Sequence, residues 1–144
     1  LLPKYRGGSP LQHQIINGEK TGGVTLFRLT ERIDAGNIVY QEPINLNGHL
    51  DKIYERIIKT GVCGFSHLIK THPIWMEIPQ DESLATHFKR RTPEESELKI
   101  RQWEHWPTEQ LYDFVRALED PYPNAFVRGR DGKKLLIKSA ELGD

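Results

Sequence analysis

The sequence has one cysteine, no long apolar run and no excess of charge of either sign. A single cysteine cannot form a disulfide within the chain, which excludes a disulfide-stapled secreted scaffold and fits a reducing compartment. No apolar run reaches the length of a membrane span and no signal-peptide pattern is present, so we expect a cytoplasmic location and no membrane partner. The 20 basic and 20 acidic residues balance, so no whole-chain field attracts nucleic acid.

The 144 residues are enough for one domain with a substantial core. Their hydrophobic share of 37% is low for a self-contained domain and is typical of a piece of a larger globular protein. The chain also begins without Met, inside a turn rich in proline and glycine, LLPKYRGGSP. We interpret this stretch as a loop that has been cut open, and we expect the cut to lie in an active site.

The first part of the chain alternates helix and strand patterns. Ser9 is placed to cap a short helix that has Pro10 at its first position and runs to Gly18. The glycine-bounded apolar run from Val24 to Leu29 is typical of a strand buried on both faces. A second strand, NIVYQEPI, follows after a short turn, and Pro43 favours an edge position for it. The alternation predicts an α/β layer architecture with a partly parallel sheet.

The clearest helix covers residues 50–69. Its apolar side chains recur at three- and four-residue spacing, which forms one continuous stripe along the helix. The stripe consists of Leu50, Ile53, Tyr54, Ile57, Ile58, Val62, Phe65, Leu68 and Ile69.

The second part of the chain carries a different pattern. Residues 72–101 are polar and contain proline, and we expect them to form an ordered connection to a second module. Another helix is predicted from Pro107, and the DPYPNAF stretch ends it. Asp131 and Gly132 then supply the tight turn of a β-hairpin, the start of a small β module. The helix places four apolar side chains on one face: Leu111, Phe114, Val115 and Leu118.

Asp34 is the carboxylate that the local sequence singles out. It lies in the turn after the first long strand, and ligands of open α/β sheets collect at the carboxyl ends of strands. The small Ala35 and Gly36 beside it would let another backbone or a planar ligand approach closely. An Asp before a small residue and Gly is also ordinary turn chemistry, and the local sequence alone favours that interpretation.

The basic stretch PKYRGG is the second candidate. Lys4 and Arg6 could hold an anionic group, Tyr5 offers a ring for stacking, and the glycines offer backbone N–H groups. The same stretch is equally consistent with a solvated loop. It is not a phosphate-binding glycine loop, because it lacks that motif's spacing and trailing Lys-Ser/Thr.

The other reactive residue types predict no further site. The six histidines show no metal-ligand spacing, so no metal site is expected. Cys63 lies among apolar helical positions without a flanking cation, which favours a small core residue over a nucleophile. The histidines are His13, His49, His67, His72, His87 and His105.

Two further stretches are most simply structural. Trp103 and Trp106 are expected to pack the second helix onto the first module, with ligand stacking the weaker alternative. The run KRRTPEESELK is expected to be a charged exposed segment. A contact from Arg90 or Arg91 to a phosphate-bearing substrate is the weaker option there.

LLPKYRGGSPLQHQIINGEKTGGVTLFRLTERIDAGNIV resembles the formyltransferase family that takes its formyl group from 10-formyltetrahydrofolate. That family has a Ser-Leu-Leu-Pro loop, an Arg-Gly-small-Pro stretch, a helix, a Gly-Val-Thr strand and an Asp-small-Gly turn at this spacing. The resemblance is dense over residues 1–40. RRTPEES, VRALEDPYPNAF and the closing hairpin resemble the family's linker, its next helix and the start of its carboxyl-terminal barrel.

The resemblance implies a mechanism in which the substrate amine attacks the formyl carbon. A His handles the proton, and Asn and His donors stabilise the oxyanion. An Asp holds the His and raises its pKa by favouring the imidazolium. The motif position makes Asp34 that catalytic residue, whereas the Asn and His would lie just ahead of Leu1. We therefore expect this chain alone to be inactive.

The resemblance also implies ligand contacts. For the folate these would come from Leu1, Leu2, Pro3 and Gly8, together with the backbone of the turn that carries the catalytic acid. Lys4, Tyr5 and Arg6 are nearest in sequence to the reacting centre and are the candidate contacts to the formyl acceptor. The folate-binding turn consists of Thr30, Glu31, Arg32, Ile33 and Asp34.

The implied fold is the carboxyl-terminal half of a Rossmann-like formyltransferase domain, followed by the start of a small, OB-like β-barrel. Residues 1–88 would belong to the catalytic domain, 89–106 to a linker, and 107–144 to the helix and first hairpin of the second module. KRRTPEES and DPYPNAF look closest to the branch that formylates a nucleotide-linked amino sugar, UDP-4-amino-arabinose.

Three functions stay open at this point. The first is transfer of formyl to an amino-sugar nucleotide, and the second is transfer to methionyl-tRNA, against which the neutral charge argues. The third is a non-catalytic binding domain with the formyltransferase shape. A homo-oligomer is also compatible with the sequence.

Overall fold

The computed structural model describes residues 1–143 and has a mixed α/β fold, as expected. Its strands and helices, numbered in chain order, are β1 (Arg6–Gly7), α1 (Pro10–Ile16), β2 (Thr21–Phe27), β3 (Ile38–Asn45), α2 (Leu50–Thr71), β4 (His87–Phe88), α3 (Ile100–His105), α4 (Thr108–Arg116), β5 (Ala125–Arg128) and β6 (Lys134–Ile137). Short 3₁₀ turns cover Glu82–Leu84 and Pro93–Ser96.

The β2 and β3 strands form an antiparallel ribbon that is paired from Thr21–Asn45 to Phe27–Ile38. The prediction that the first strand continues to Leu29 and is buried on both faces is wrong. The strand ends at Phe27, and Leu29 is 92% exposed. Among residues 1–143 the one parallel pair of named strands is the two-residue contact between β1 and β4, and a single parallel bridge joins Glu97 to Phe126 of β5.

The α2 helix confirms the apolar stripe only in part. Its amino-terminal end is buried through Leu50 and Ile53, whereas the later positions Val62 and Phe65 are more than 60% exposed. Cys63 lies on this outward part and is exposed, so the prediction that it is a core residue is wrong. No helix among residues 1–143 is both long enough and apolar enough to cross a membrane.

One hydrophobic core joins the two parts of the chain. Ile15, from α1, packs in the same cluster as side chains of β3, α2, α4 and β5. Trp106 packs on this cluster, with its ring centroid 5.7 Å from that of Phe114, but Trp103 is 63% exposed, so only one of the two tryptophans packs as predicted. The buried cluster is Ile15, Ile44, Leu46, Leu50, Ile53, Leu98, Phe114, Val115, Ala117, Leu118 and Ala125.

A buried arginine ties α4 to the connection between β3 and α2. Arg116 is 1% exposed and donates from Nη1 to the carbonyl oxygens of Leu46 (2.6 Å) and Gly48 (2.9 Å). Its Nε donates to the buried Asp113 carboxylate at 2.7 Å. These bonds supply hydrogen-bond partners to the buried Arg116 guanidinium and to the two carbonyl oxygens.

The closing hairpin is confirmed. The β5 and β6 strands pair antiparallel from Ala125–Ile137 to Arg128–Lys134, and Gly132 adopts a φ of 78° in the turn. Within residues 1–143 these strands form a two-stranded sheet and no closed barrel. The last residue assigned to the predicted second module, Asp144, lies outside the described residues.

Candidate active site

The opening loop is fixed against β4 by backbone hydrogen bonds. The N–H of Arg6 donates to the Thr86 carbonyl at 2.8 Å, and the N–H of Gly8 donates to the Phe88 carbonyl at 2.9 Å. The Tyr5 ring stacks on the Phe88 ring, with centroids 4.8 Å apart. The loop is therefore an ordered part of the fold and not a freely solvated one.

The two glycines of this loop allow the close approach of neighbouring backbone. A Cβ on Gly7 would lie 2.4 Å from the Phe88 carbonyl oxygen, and one on Gly8 would lie 2.3 Å from the Arg90 Cα. Their N–H groups are not free for an anionic ligand, although one of the two interpretations of this stretch required them to be free, because Gly8 donates to Phe88 and Gly7 donates to Asp34.

Asp34 lies directly beside the opening loop. Its Oδ2 accepts a hydrogen bond from the Gly7 N–H at 2.8 Å, although 27 positions separate the two residues. The hydrogen bonds among residues 1–143 engage Oδ2 and leave Oδ1 without a donor. Asp34 adopts a φ of 53°, a left-handed conformation that Asp tolerates better than most residues. The turn thus presents one carboxylate oxygen at the edge of the loop.

The predicted close backbone approach at Gly36 is confirmed. A Cβ there would lie 1.7 Å from the Arg28 carbonyl oxygen, so only glycine fits without rearrangement. The approach folds the turn from Arg28 to Gly36 back on itself, which carries Asp34 toward the opening loop.

A polar bracket formed by Arg6, Arg32, Gln80 and Glu82 joins the opening loop to the Asp34 turn. Arg6 is fully buried and donates to Gln80 Oε1 from Nε (3.2 Å) and Nη2 (2.7 Å). Arg6 also donates to both oxygens of Glu82 (2.9 and 3.1 Å), and Arg32 donates to Oε2 of the same carboxylate at 2.7 Å. Hydrogen bonds from Arg6 and Arg32 lower the pKa of Glu82 to about 2.

The polar bracket occupies the side chain that was predicted to contact the formyl acceptor. The Arg6 guanidinium is already hydrogen-bonded to Gln80 and Glu82. A contact to the acceptor would require these bonds to be exchanged. Lys4, by contrast, is exposed, and Tyr5 is half-buried.

The Leu1–Pro3 stretch packs on the β2–β3 ribbon. The Leu1 side chain occupies the space over Gly23, where a Cβ would lie 1.8 Å from Leu1 Cδ2. Gln41, from β3, donates to the Leu2 carbonyl and to Thr25 Oγ1, both at 2.9 Å. This packing places the start of the chain against the middle of β2.

The turn from Thr30 to Ile33 is exposed. Thr30 Oγ1 donates to the Arg32 carbonyl at 3.0 Å, and the Ile33 side chain is 70% exposed. Glu31 is likewise exposed. Apolar packing therefore contributes little to the position of this turn, which depends on its hydrogen bonds.

A cavity of about 300 Å³ lies between the opening loop, α1 and the β2–β3 ribbon. Five of the predicted site residues line it: Leu1, Leu2, Lys4, Tyr5 and Asp34. The other predicted residues, Pro3, Arg6, Gly8 and 30–33, lie outside its lining. The remaining walls are mostly apolar and include Val24, Phe27 and Ile57.

Residues 1–143 contain no group of three or more His, Cys, Asp and Glu side chains arranged to hold a metal ion. His13 contacts the Lys89 carbonyl through Nε2 at 3.0 Å, and its ring lies against Phe88.

Three residues that hold the site together were not identified from the sequence: Gln41, Gln80 and Glu82. No local pattern marks them, because their partners lie at least 16 positions away in the sequence.

The structure does not support the prediction that the Ser9 side chain caps α1. Ser9 precedes α1 as predicted, but it adopts a φ of 50° and makes no capping bond. Its hydroxyl instead accepts from the Arg91 N–H and pairs with the Tyr122 hydroxyl, both at 3.2 Å. Ser9 therefore links the opening loop to Arg91, ahead of the second 3₁₀ turn, and to Tyr122, which follows α4.

The first part of the chain is similar to a known protein family. Residues 1–69 match the family model described as "Formyl transferase". A methionyl-tRNA formyltransferase of Moorella thermoacetica is 34% identical over 148 residues, an alignment that takes in 100% of this chain and 46% of that protein. The chain thus spans about half the length of the curated relative that it matches.

Several solved structures share the fold. One is the methionyl-tRNA formyltransferase of Clostridium thermocellum, with 28% identity and a TM-score of 0.75, covering 94% of this chain and 63% of that one. A sugar N-formyltransferase from a Shewanella species has 26% identity and a TM-score of 0.81, covering 100% of this chain and 60% of that one. The N-formyltransferase of Helicobacter canadensis, in complex with folinic acid and dTDP-3-aminofucose, has 26% identity and a TM-score of 0.69, covering 81% of this chain and 44% of that one.

Proposed function

Because residues 1–69 match the formyl transferase family, we propose that the protein carrying this chain transfers a formyl group from 10-formyltetrahydrofolate to a primary amine. The observation that carries the proposal is the hydrogen bond from the Gly7 N–H to Asp34 Oδ2 at 2.8 Å. It puts the turn carboxylate at the opening loop, where the family's chemistry requires an acid. If the Asp34 carboxylate lay far from the opening loop, the proposal would have no structural basis.

In this proposal Asp34 orients an imidazole and keeps it charged. Oδ2 is held by Gly7, while Oδ1 is left for the imidazole N–H, which a part of the protein outside this chain would supply. The imidazole and an amide donor would then handle the proton and the oxyanion during attack by the amine.

We propose that the folate contacts Leu1, Leu2, Pro3, Gly8 and the backbone of the turn 30–34. The apolar cavity supports contacts from Leu1 and Leu2, which line it together with Asp34. The Gly8 N–H is already used by Phe88, so a contact there would use its carbonyl or its surface. No metal enters this chemistry.

For the acceptor we propose a nucleotide-linked amino sugar, with Lys4 and Tyr5 as contacts beside Asp34. The balanced charge of the chain supports a small acceptor over an RNA. The Shewanella relative is a sugar N-formyltransferase, and the Helicobacter relative was crystallised with an amino-sugar nucleotide. The 4-amino-arabinose branch remains the finer expectation.

Methionyl-tRNA is the second candidate acceptor. The Moorella relative, at 34% identity, acts on that substrate by its name. The closing hairpin also exposes Arg130, Lys133 and Lys134 near its turn, where they could neutralise phosphates. Salt-sensitive binding of tRNA would therefore favour this acceptor.

We further propose the division into a catalytic part (1–88), a linker (89–106) and a second module (107–144), with β5 and β6 as the first hairpin of an OB-like barrel. A cytoplasmic location, with no membrane partner and with self-association into a homo-oligomer, completes the proposal.

The test is an assay of the intact protein with 10-formyltetrahydrofolate and each acceptor in turn, with mass spectrometry of the product. Formylation of an amino-sugar nucleotide supports the first acceptor, and formylation of methionyl-tRNA alone replaces it with the second. Folate binding without transfer to either would favour the non-catalytic domain and refute the enzymatic proposal.

A further inference from the structure

Gln80 lies between the opening loop and the Asp34 turn, in a segment that the sequence marks only as a polar connection. Its Nε2 donates to two carbonyl oxygens of the turn, those of Asp34 (2.9 Å) and Gly36 (2.7 Å). Both amide hydrogens of the side chain are therefore used to hold the backbone on either side of Ala35. Since Asp34 contributes its own carbonyl, the contact acts directly on the residue that carries the carboxylate.

The other end of the Gln80 amide is equally fixed. Its Oε1 accepts from Nε and Nη2 of Arg6, at 3.2 and 2.7 Å. Arg6 donates only, so the amide oxygen must face it and the amide nitrogen must face the turn. The fully buried guanidinium thus sets which way the glutamine points.

Glu82 makes a second connection between the same two segments. It accepts from both terminal nitrogens of Arg6, at 3.1 and 2.9 Å, and from Arg32 of the turn at 2.7 Å. Glu82 is about half exposed, however, and Arg32 is 69% exposed, so solvent weakens this connection. Gln80 is the more buried of the two links.

The tip of the turn needs such support because its residues 30–33 lack apolar packing, although Glu77 holds Arg28 and Asn37 at the base of the turn. Asp34 sits at a φ of 53° and the side chains from Thr30 to Ile33 are exposed, so neither backbone preference nor apolar packing fixes the carboxylate. Catalytic groups must be held within a fraction of an ångström of their working geometry by such supporting contacts.

We propose that Gln80 is the positioning residue for Asp34: oriented by Arg6, it holds the Asp34–Gly36 backbone so that the carboxylate meets the Gly7 N–H. The inference rests on the proposed function for its catalytic meaning, but its geometric content is independent of it. Gln80 acts through Asp34 and does not itself touch substrate.

Two substitutions separate the roles of the amide. Gln80→Glu keeps the shape and the acceptor for Arg6 but replaces the donor to the two carbonyl oxygens with a carboxylate oxygen. Gln80→Leu removes both functions. Gln110→Leu is the matched control, because Gln110 is a half-buried glutamine of α4 whose side chain makes no hydrogen bond with residues 1–143. Thermal unfolding identifies any variant that has lost its fold.

The first measurement is hydrogen exchange of the Gly7 amide in the intact protein, since that N–H reports the Asp34 contact directly. Both Gln80 variants should exchange about tenfold faster or more, and Gln110→Leu should not change. Unchanged Gly7 exchange in a folded Gln80→Glu protein overturns the inference, whether or not the protein transfers formyl.

The second measurement is the turnover number in the presence and absence of the Asp34 carboxylate. Gln80→Glu should lower kcat about tenfold or more in the parent protein and have no further effect on kcat in Asp34→Asn. A further loss of similar size in the Asp34→Asn background would show a role independent of Asp34 and overturn the inference. If the parent transfers no formyl yet Gly7 exchange responds, the proposed function fails and the positioning role stands.

Discussion

The Gly7 N–H and the Asp34 carboxylate meet at 2.8 Å, and this contact joins the opening loop to a turn 27 positions further along the chain. Gly7 adopts a φ of 96°, and the Phe88 carbonyl oxygen lies 2.4 Å from the position that a Cβ would take. The contact therefore depends on glycine at position 7.

Gly7→Ala should destabilise the fold by about 2 kcal/mol or more, because the left-handed backbone and the collision with Phe88 both disfavour a side chain. Gly18→Ala is the control, since Gly18 has a φ of 78° but no atom within 4 Å of its Cβ position. It should lose only about 1 kcal/mol. Chemical denaturation measures both, and equal losses would rule out the collision.

Arg116→Met should destabilise the protein by about 3–5 kcal/mol, because two carbonyl oxygens lose their donor and the buried Asp113 carboxylate keeps only Lys20, at 3.4 Å. Arg56 is a natural control. It donates to the neighbouring carbonyl oxygens of Asn45 (3.0 Å) and Asn47 (2.7 Å), but from a more exposed position. Arg56→Met should lose about 1 kcal/mol or less. The account is contradicted if both variants unfold at the same denaturant concentration.

The lowered pKa of Glu82 predicts that the free energy of unfolding falls in acid. Its pKa of about 2 lies below the usual 4.5 because Arg6 and Arg32 favour the carboxylate. The folded state therefore gains stability from this group above pH 4.5, and loses it as the pH falls from 4.5 toward 2. In Glu82→Gln the free energy of unfolding should vary less over that range. Glu94→Gln, at an exposed glutamate without an ion pair among residues 1–143, should retain the parental slope.

The raised pKa of His49 predicts that the free energy of unfolding falls as the pH rises. Its Nδ1 lies 2.7 Å from Glu119, and this hydrogen bond raises the pKa of the ring above 6.5. The contribution to stability is complete below pH 6.5 and is lost as the pH rises through the raised pKa. The ring is 40% exposed, so the effect should be about 1 kcal/mol or less.

The control for this effect is His49→Asn, which removes the titrating group but keeps a side chain able to cap α2. Its stability should show no loss in the same pH range. A parental protein whose free energy of unfolding is constant from pH 6 to 9 would refute the assignment to His49.

The elements predicted best from the sequence are those with local signals. The apolar period of α2 repeats every three or four residues and the Asp131-Gly132 turn takes two adjacent positions, so both signals are local, and both elements occur as predicted. Burial was predicted less well. Val62 and Cys63 are exposed because periodicity gives the apolar side of a helix but not what covers each part of it.

In the candidate site, too, the residues that were missed are those whose role depends on contacts distant in sequence. Asp34 was identified only through the family resemblance, since its local sequence is ordinary turn chemistry. Gln80 has no local signal at all, and its role depends on contacts that span 44 to 74 positions. Arg6 was expected to face a ligand but is fully buried. Its partners Gln80 and Glu82 lie 74 and 76 positions away in the sequence, so no local pattern indicates them.

The central claim is that Asp34 serves catalysis by holding an imidazole. The most direct test is the rate of formyl transfer from 10-formyltetrahydrofolate by the intact protein with Asp34→Asn, which keeps the size of the side chain and removes its charge. We predict a fall in kcat of about 10²–10⁴-fold with folate binding retained. Transfer at the parental rate would contradict the account.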